Sequence, residues 1–185
     1  KSLHFLRTCL DKKSGKLPNY GSNDGALFFK LNSDYYRDYR SQIDDLSSVL
    51  SGYNEFGSDS SFWYGAYAKV KKNKKLSILN EFNNGGYYII QDGNTKTFIR
   101  CGAYKDRPFQ SDNLHLDIWV NGMNILRDNG SFMYNTEKEI LNYFNGCQAH
   151  NTISIDGKDQ MEKGDRFIWN YWVTEARATL KKLND

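Results

Sequence analysis

Two of the three histidines in this 185-residue chain sit in runs where apolar and polar side chains alternate. Across residues 114–120, Leu114, Leu116, Ile118 and Val120 would share one face of a strand, and His115, Asp117 and Trp119 the other. Across residues 150–156, Ile153 and Ile155 oppose His150, Thr152, Ser154 and Asp156. Imidazole and carboxylate groups gathered on one face can form a site for proton transfer or metal ligation. The same pattern describes the solvent-facing side of a sandwich, and alternation alone favours that second reading. Aromatic residues make up 15% of the chain, with 13 Tyr, 11 Phe and 4 Trp. Such rings line sugar-binding clefts, although most of them are expected to be core.

The elements that would position these residues change character near the middle of the chain. From Asn23 to Leu50 the spacing of Leu27, Phe28, Leu31, Tyr35, Tyr36, Tyr39, Ile43, Leu46 and Leu50 predicts a helix, opened by Asn23 and Asp24 and closed by Gly52 and Gly57. A second, aromatic helix is predicted from Ser60 to Lys69, and the first twenty residues read as a helix end followed by a connector. From Gly85 onward the pattern is strand and turn. One hairpin is predicted around Asp92-Gly93, and another around Asn121-Gly122. Further strands are predicted at 151–155, 167–173 and 176–180. Helices first and antiparallel strands afterwards give an α+β chain, read as residues 1–69, a linker at 70–84 and a β domain at 85–185.

The net charge of +3 is too small to argue for nucleic acid, and no apolar run reaches the roughly 20 residues of a membrane span. The basic run of Lys69, Lys71, Lys72, Lys74 and Lys75 reads as a solvated loop. Cys9, Cys101 and Cys147 are widely spaced and give neither a disulfide framework nor a metal motif. Residue 1 is Lys rather than Met, so the native start is expected to lie upstream, and a bacterial periplasmic or cytoplasmic location both stay open.

Three blocks in order carry a family resemblance. Residues 148–157, QAHNTISIDG, are followed by Asp159-Gln160; residues 111–122 read SDNLHLDIWVNG; residues 125–134 read ILRDNGSFMY. Together they resemble the heparinase II/III-like family, and residues 18–26 and 36–40 are similar to its segment leading into a helix. The resemblance implies the last helices of an (α/α) toroid followed by an antiparallel β-sandwich. It also implies β-elimination on uronic-acid polysaccharides. In that reaction the uronate carboxylate must be neutralised, a base removes the C5 proton, and an acid protonates the leaving oxygen.

Carried over by position, the resemblance places the catalytic tyrosine at Tyr36, with Tyr35 as the alternative, and leaves open that these rings pack on an amphipathic helix. His150 is a catalytic candidate and, with Asp128, a ligand for a structural zinc. Tyr20, Asn23, Arg37, Arg107, Gln110, Asp112 and His115 are candidate contacts to an acidic polysaccharide, the expected partner. The family's carboxylate-gripping residues would precede Lys1. Two departures matter: Pro108 and Gln110 occupy the positions of a histidine pair, and His115 falls where the family has Ser. Proline is no base and glutamine is a poor zinc ligand. Two functions therefore stand: a polysaccharide lyase, or a scaffold that binds acidic carbohydrate without cleaving it. A β-sandwich without a ligand is the bland third. A strand running into the end of the chain would leave an open sheet edge, so self-association is also expected.

Overall fold

Gly, Asn and Asp punctuate residues 18–39, and in the computed structural model the described residues of this stretch form bends, a turn and irregular chain rather than helix. The model describes residues 1–23, 25–27, 29–64, 69–70 and 76–182. It divides into Lys1–Leu17 with Ala26–Ser77, and Pro18–Gly25 with Ile78–Asp185. Each unit is described by itself.

In the first unit, α1 (Ser2–Cys9) and α2 (Arg40–Ser51) are helical. The helix expected from Asn23 to Leu50 is thus confined to its last turns. Local side-chain hydrogen bonds offer the backbone an alternative to the helix. The Asn32 Oδ1 accepts from the Asp34 amide at 3.1 Å, and the Asp38 Oδ1 accepts from the Arg40 amide at 3.1 Å. Helix α2 buries Ile43, Asp44, Ser47 and Ser48 and ends at Gly52, whose left-handed φ of 69° suits a glycine cap. The Asp44 carboxylate, fully buried, accepts backbone N–H bonds from Glu55, Phe56 and Ser58 at 2.7–3.1 Å, which clamps the following loop. Strands β1 (Tyr53–Asn54) and β2 (Lys69–Val70) pair in parallel, and between them Asp59–Tyr64 forms a 3-10 helix where an α-helix to Lys69 was expected. Asp24, Phe28, Tyr67 and the lysines of 71–75 lie outside the described residues.

The second unit is built on an antiparallel meander of β3 (Leu79–Phe82), β4 (Tyr87–Asp92), β5 (Thr95–Arg100), β6 (Leu116–Val120) and β7 (Met123–Leu126). Both expected hairpins are present. Asn121 and Gly122 take φ of 54° and 85°, the pair of positive values that an Asn-Gly turn favours. Strand β3 begins inside the stretch expected to be linker. A single short antiparallel pair, β8 (Glu162–Lys163) with β9 (Trp169–Tyr171), is the only other sheet among the described residues of this unit. The strands expected at 151–155 and 176–180 are not formed, apart from one bridge between Ile155 and Lys158. A short helix, α3 (Lys138–Asn145), stands where no element was expected. Gly86 and Gly102 bring their backbones together: a Cβ on Gly86, at φ +68°, would lie 2.3 Å from the Gly102 Cα. Only glycine permits that approach.

The faces of the meander reverse the simplest expectation. Registers Ile89↔Phe98, Phe98↔Asp117 and Lys96↔Trp119 put these residues on one face. That face is buried: Ile89, Lys96, Phe98, Arg100, Asp117 and Trp119 are all at most 5% exposed. The apolar residues of β6, Leu116, Ile118 and Val120, are only half-buried, and Met123 and Ile125 of β7 are exposed. His115 therefore lies on the interior side, not the wet one.

Candidate functional site

Three side chains from separate segments of the second unit converge in this interior. His115 immediately precedes β6, Asp128 follows β7, and His150 ends the short 3-10 turn Cys147–Ala149. The Leu114 φ of 64° and the bond from the His115 amide to the Asp112 carbonyl, 3.0 Å, mark a tight turn that swings His115 inward. His115 and Asp128 are fully buried and His150 is 8% exposed. Their ligand atoms all lie within 4.8 Å of one another.

The hydrogen bonds assign the protons. His150 Nε2 lies 3.2 Å from the Phe144 carbonyl oxygen, which can only accept, so that nitrogen carries a proton. His150 Nδ1 faces both Asp128 oxygens at 3.2 Å. Either Nδ1 is protonated as well, giving an imidazolium beside a carboxylate, or a cation is shared between them. Burial works against the charged ring, yet the Asp128 carboxylate outweighs it and raises the His150 pKa. His115 differs. Its Nδ1 accepts from the Asn151 amide at 3.2 Å, and its Nε2, 3.4 Å from Asp128 Oδ2, is buried without a hydrogen-bond partner. Burial is the main reason its pKa is lowered.

These residues fit a zinc ion. Two ligands on a tetrahedral zinc at 2.0–2.1 Å stand roughly 3.3–3.4 Å apart. The His150–Asp128 and His115–Asp128 pairs are separated by 3.2 and 3.4 Å. His150 has the usual metal-ligand arrangement, with its other nitrogen donating to a backbone carbonyl. His115 would join by moving its proton to Nδ1 and giving up the Asn151 bond. Asp128 and His150 were the expected ligands, carried over from the resemblance, and His115 was an expected contact to the polymer. The missed third donor was legible only as a histidine on the same strand face as Asp117 and Trp119, a face taken for the wet one.

The other expected site residues are distributed unevenly. Gln110 and Asp112, 2% and 1% exposed, are interior and not presented to a polymer. The Gln110 amide donates to the Gly130 carbonyl at 3.1 Å and that of Phe144 at 3.4 Å, so it braces the loops carrying the metal-type ligands. Asp112 accepts from the Tyr104 hydroxyl at 2.8 Å, and burial raises its pKa. Tyr20 is structural in the same sense: its hydroxyl accepts from Arg100 Nε at 2.9 Å and its ring packs on Tyr87 and Phe98. Burial pushes its pKa upward. Asn23 is tied at its backbone to the Ser131 hydroxyl, 2.9 Å from its amide. Arg107 is exposed, over the rings of Phe109 and Phe167 at 5.3 and 4.9 Å. Tyr35, Tyr36 and Arg37 belong to the first unit. They sit in a turn and not on a helix; Tyr35 and Tyr36 are 65% and 41% exposed with ring centroids 5.6 Å apart, and Arg37 is half-buried.

A five-stranded antiparallel meander carrying a buried His–Asp–His cluster defines a class, and comparison with known proteins identifies it. The profile of the heparinase II/III-like C-terminal family matches residues 74–184, and the chain belongs to that family. A heparin-sulfate lyase of Bacteroides stercoris is 28% identical over 108 residues, covering 54% of this chain and 16% of its own length. The crystal structure of a heparinase III is similar over 88% of this chain and 26% of its own, with a TM-score of 0.57 at 18% identity. A heparan sulfate lyase from Pedobacter heparinus is similar over 85% of this chain and 25% of its own, with a TM-score of 0.54 at 17% identity. The chain thus spans about a sixth to a quarter of the length of these relatives. Among the described residues no helix is long and apolar enough to cross a membrane.

Proposed function

We propose that this chain is part of a polysaccharide lyase that cleaves uronic-acid-containing polymers by β-elimination. The family match over residues 74–184 carries the reading, supported by the heparin-sulfate lyase relative. In β-elimination no water is added: the C5 proton leaves, the C4–O bond breaks and a 4,5-unsaturated uronate forms. Tyr36, exposed in its turn, has the hydroxyl and the access such a proton transfer requires, with Tyr35 beside it as the alternative. Asp128, His150 and His115 would hold a zinc whose charge consolidates the interior of the β domain. His150, buried and bonded on both ring nitrogens, serves that cluster better than it serves as a free proton shuttle.

One observation favours a second reading, a scaffold that binds acidic carbohydrate without cleaving it. By the resemblance, Pro108 and Gln110 stand where the family has a histidine pair, and the Gln110 amide is committed to backbone carbonyls. The two readings separate in one assay. The full-length protein is mixed with heparan sulfate, chondroitin, hyaluronan and alginate, and absorbance from unsaturated uronate is followed. A rise lost in Tyr36→Phe is the expected result. A rise that survives that substitution removes Tyr36 from the mechanism, and a flat trace with retained binding selects the scaffold.

A further inference from the structure

The second unit has a niche of about 40 Å³ lined by Arg107, Lys163 and Arg166 together with Pro108, Asn145 and Trp169. No Asp or Glu lines it. Among the described residues none of the three cations is within ion-pair distance of a carboxylate. Lys163 Nζ donates to Asn142 Oδ1 at 3.1 Å, and burial and the nearby Lys138 lower its pKa against the opposing pull of Asp165, which does not line the niche. Three like charges around one recess repel each other unless an anion enters.

Size and surroundings narrow the anion. One water requires roughly 10–15 Å³ of such volume, so the niche admits a group of a few heavy atoms and not a sugar ring. The ring must therefore remain outside. At the mouth, Phe109 and Phe167 are 46% and 53% exposed, and Tyr134, 51% exposed, meets Phe167 edge to face at 6.3 Å. The Arg107 guanidinium lies over Phe109 and Phe167 in cation–π contact, and a guanidinium is the group that can fork onto an oxyanion. Arg166 sits in the β8–β9 connection at φ +50°, a left-handed conformation that glycine would adopt without strain.

We propose that this niche anchors one anionic group of the polymer, a sulfate or a uronate carboxylate, while the sugar ring rests on the exposed aromatic rim. The inference rests on the acidic-polysaccharide reading above and adds Lys163 and Arg166, residues no sequence pattern singled out.

The test measures binding of the full-length protein to heparan sulfate, unsulfated hyaluronan and neutral dextran by isothermal titration at two salt concentrations. Wild type is compared with Arg107→Gln, Arg166→Gln and Arg166→Lys. Loss of one charge-assisted contact corresponds to about tenfold weaker binding. Each Gln variant is expected to show that loss with a shallower salt dependence, and Arg166→Lys to recover part of it. Weakening confined to heparan sulfate assigns the niche to sulfate; equal weakening on hyaluronan assigns it to the carboxylate. Unchanged affinity and salt dependence in both Gln variants would overturn the proposal. Arg166 is exposed, so its variants separate binding from folding, and a thermal melt of each checks this. If the variants lose affinity but wild type yields no unsaturated product, the niche stands and the lyase reading falls. Product formation with unaffected variants has the opposite meaning. A wild type that binds neither acidic polymer removes both.

Discussion

The two faces of the central meander divide labour against the usual pattern. One face buries Phe98, Ile89 and Trp119 together with Lys96, Arg100, Asp117 and His115; the other leaves Leu116, Ile118 and Val120 half-covered and Ile125 61% exposed. Burying ionisable groups is unfavourable unless they are paired or hydrogen-bonded. Here Asp117 accepts from Asn124 Nδ2 at 2.8 Å through one oxygen and Arg100 Nε reaches the Tyr20 hydroxyl, while Asp117 Oδ2 and Arg100 Nη1 are buried without a hydrogen-bond partner. The His115 Nε2, alone in lacking a partner within the histidine–aspartate cluster, is also one of the three donor atoms grouped within 4.8 Å of one another. Hydrophobicity alone therefore does not tell which face is inside; the availability of partners does.

The contrast between the faces can be broken at several points. Asp128→Ala is expected to have the largest effect, about 3–5 kcal/mol in urea unfolding, because it leaves His150 Nδ1 and His115 Nε2 buried with no counter-charge between them. The same variant should abolish zinc uptake measured by inductively coupled plasma mass spectrometry, with His115→Ala and His150→Ala reducing it. Retained stoichiometric zinc in Asp128→Ala would remove the proposed ligand set. Phe98→Ala, on the buried face, should lose about 3–5 kcal/mol by cavity formation. A loss under 1 kcal/mol would mean that this face is not the core.

A smaller effect follows from Asp117, whose pKa burial raises to about 6. The folded state then binds a proton more tightly than the unfolded state does. Stability from this group is full below the ordinary carboxylate range near 4 and is lost as pH rises through 6. The change is on the order of 2–3 kcal/mol, measured by urea midpoints in chelator-treated protein, and Asp117→Asn should flatten it. Stability that rises over this range and is unaffected by the substitution would contradict the buried placement of Asp117. The smallest effect is expected from Ile125→Ser on the open face, within about 0.5 kcal/mol. A loss of 2 kcal/mol or more there would show that this face is covered in solution.

Strand pairing was the most legible part of the fold, because alternation and the turn dipeptide at Asn121-Gly122 act locally and have few solutions. The helix from Asn23 was misread because a three- and four-residue spacing of Tyr and Leu says nothing of the Asx turns that compete with it. Helix α3 was missed because eight residues hold barely two apolar turns. At the site, motif positions were enough to bring Asp128 and His150 forward. His115 was misassigned because period-2 alternation specifies which residues share a face and is silent about which face meets solvent.

The amino-acid sequence by itself determined the family, the antiparallel hairpins, and the pairing of an aspartate with a histidine 22 positions apart in the chain. These depend on local turn chemistry and on residue identity at motif positions. Only the tertiary structure decided that the polar face of β6 is interior, that His115 completes the cluster, and that Arg107, Lys163 and Arg166 surround one recess. Burial and convergence depend on how distant segments pack, and those distances are set by the whole fold.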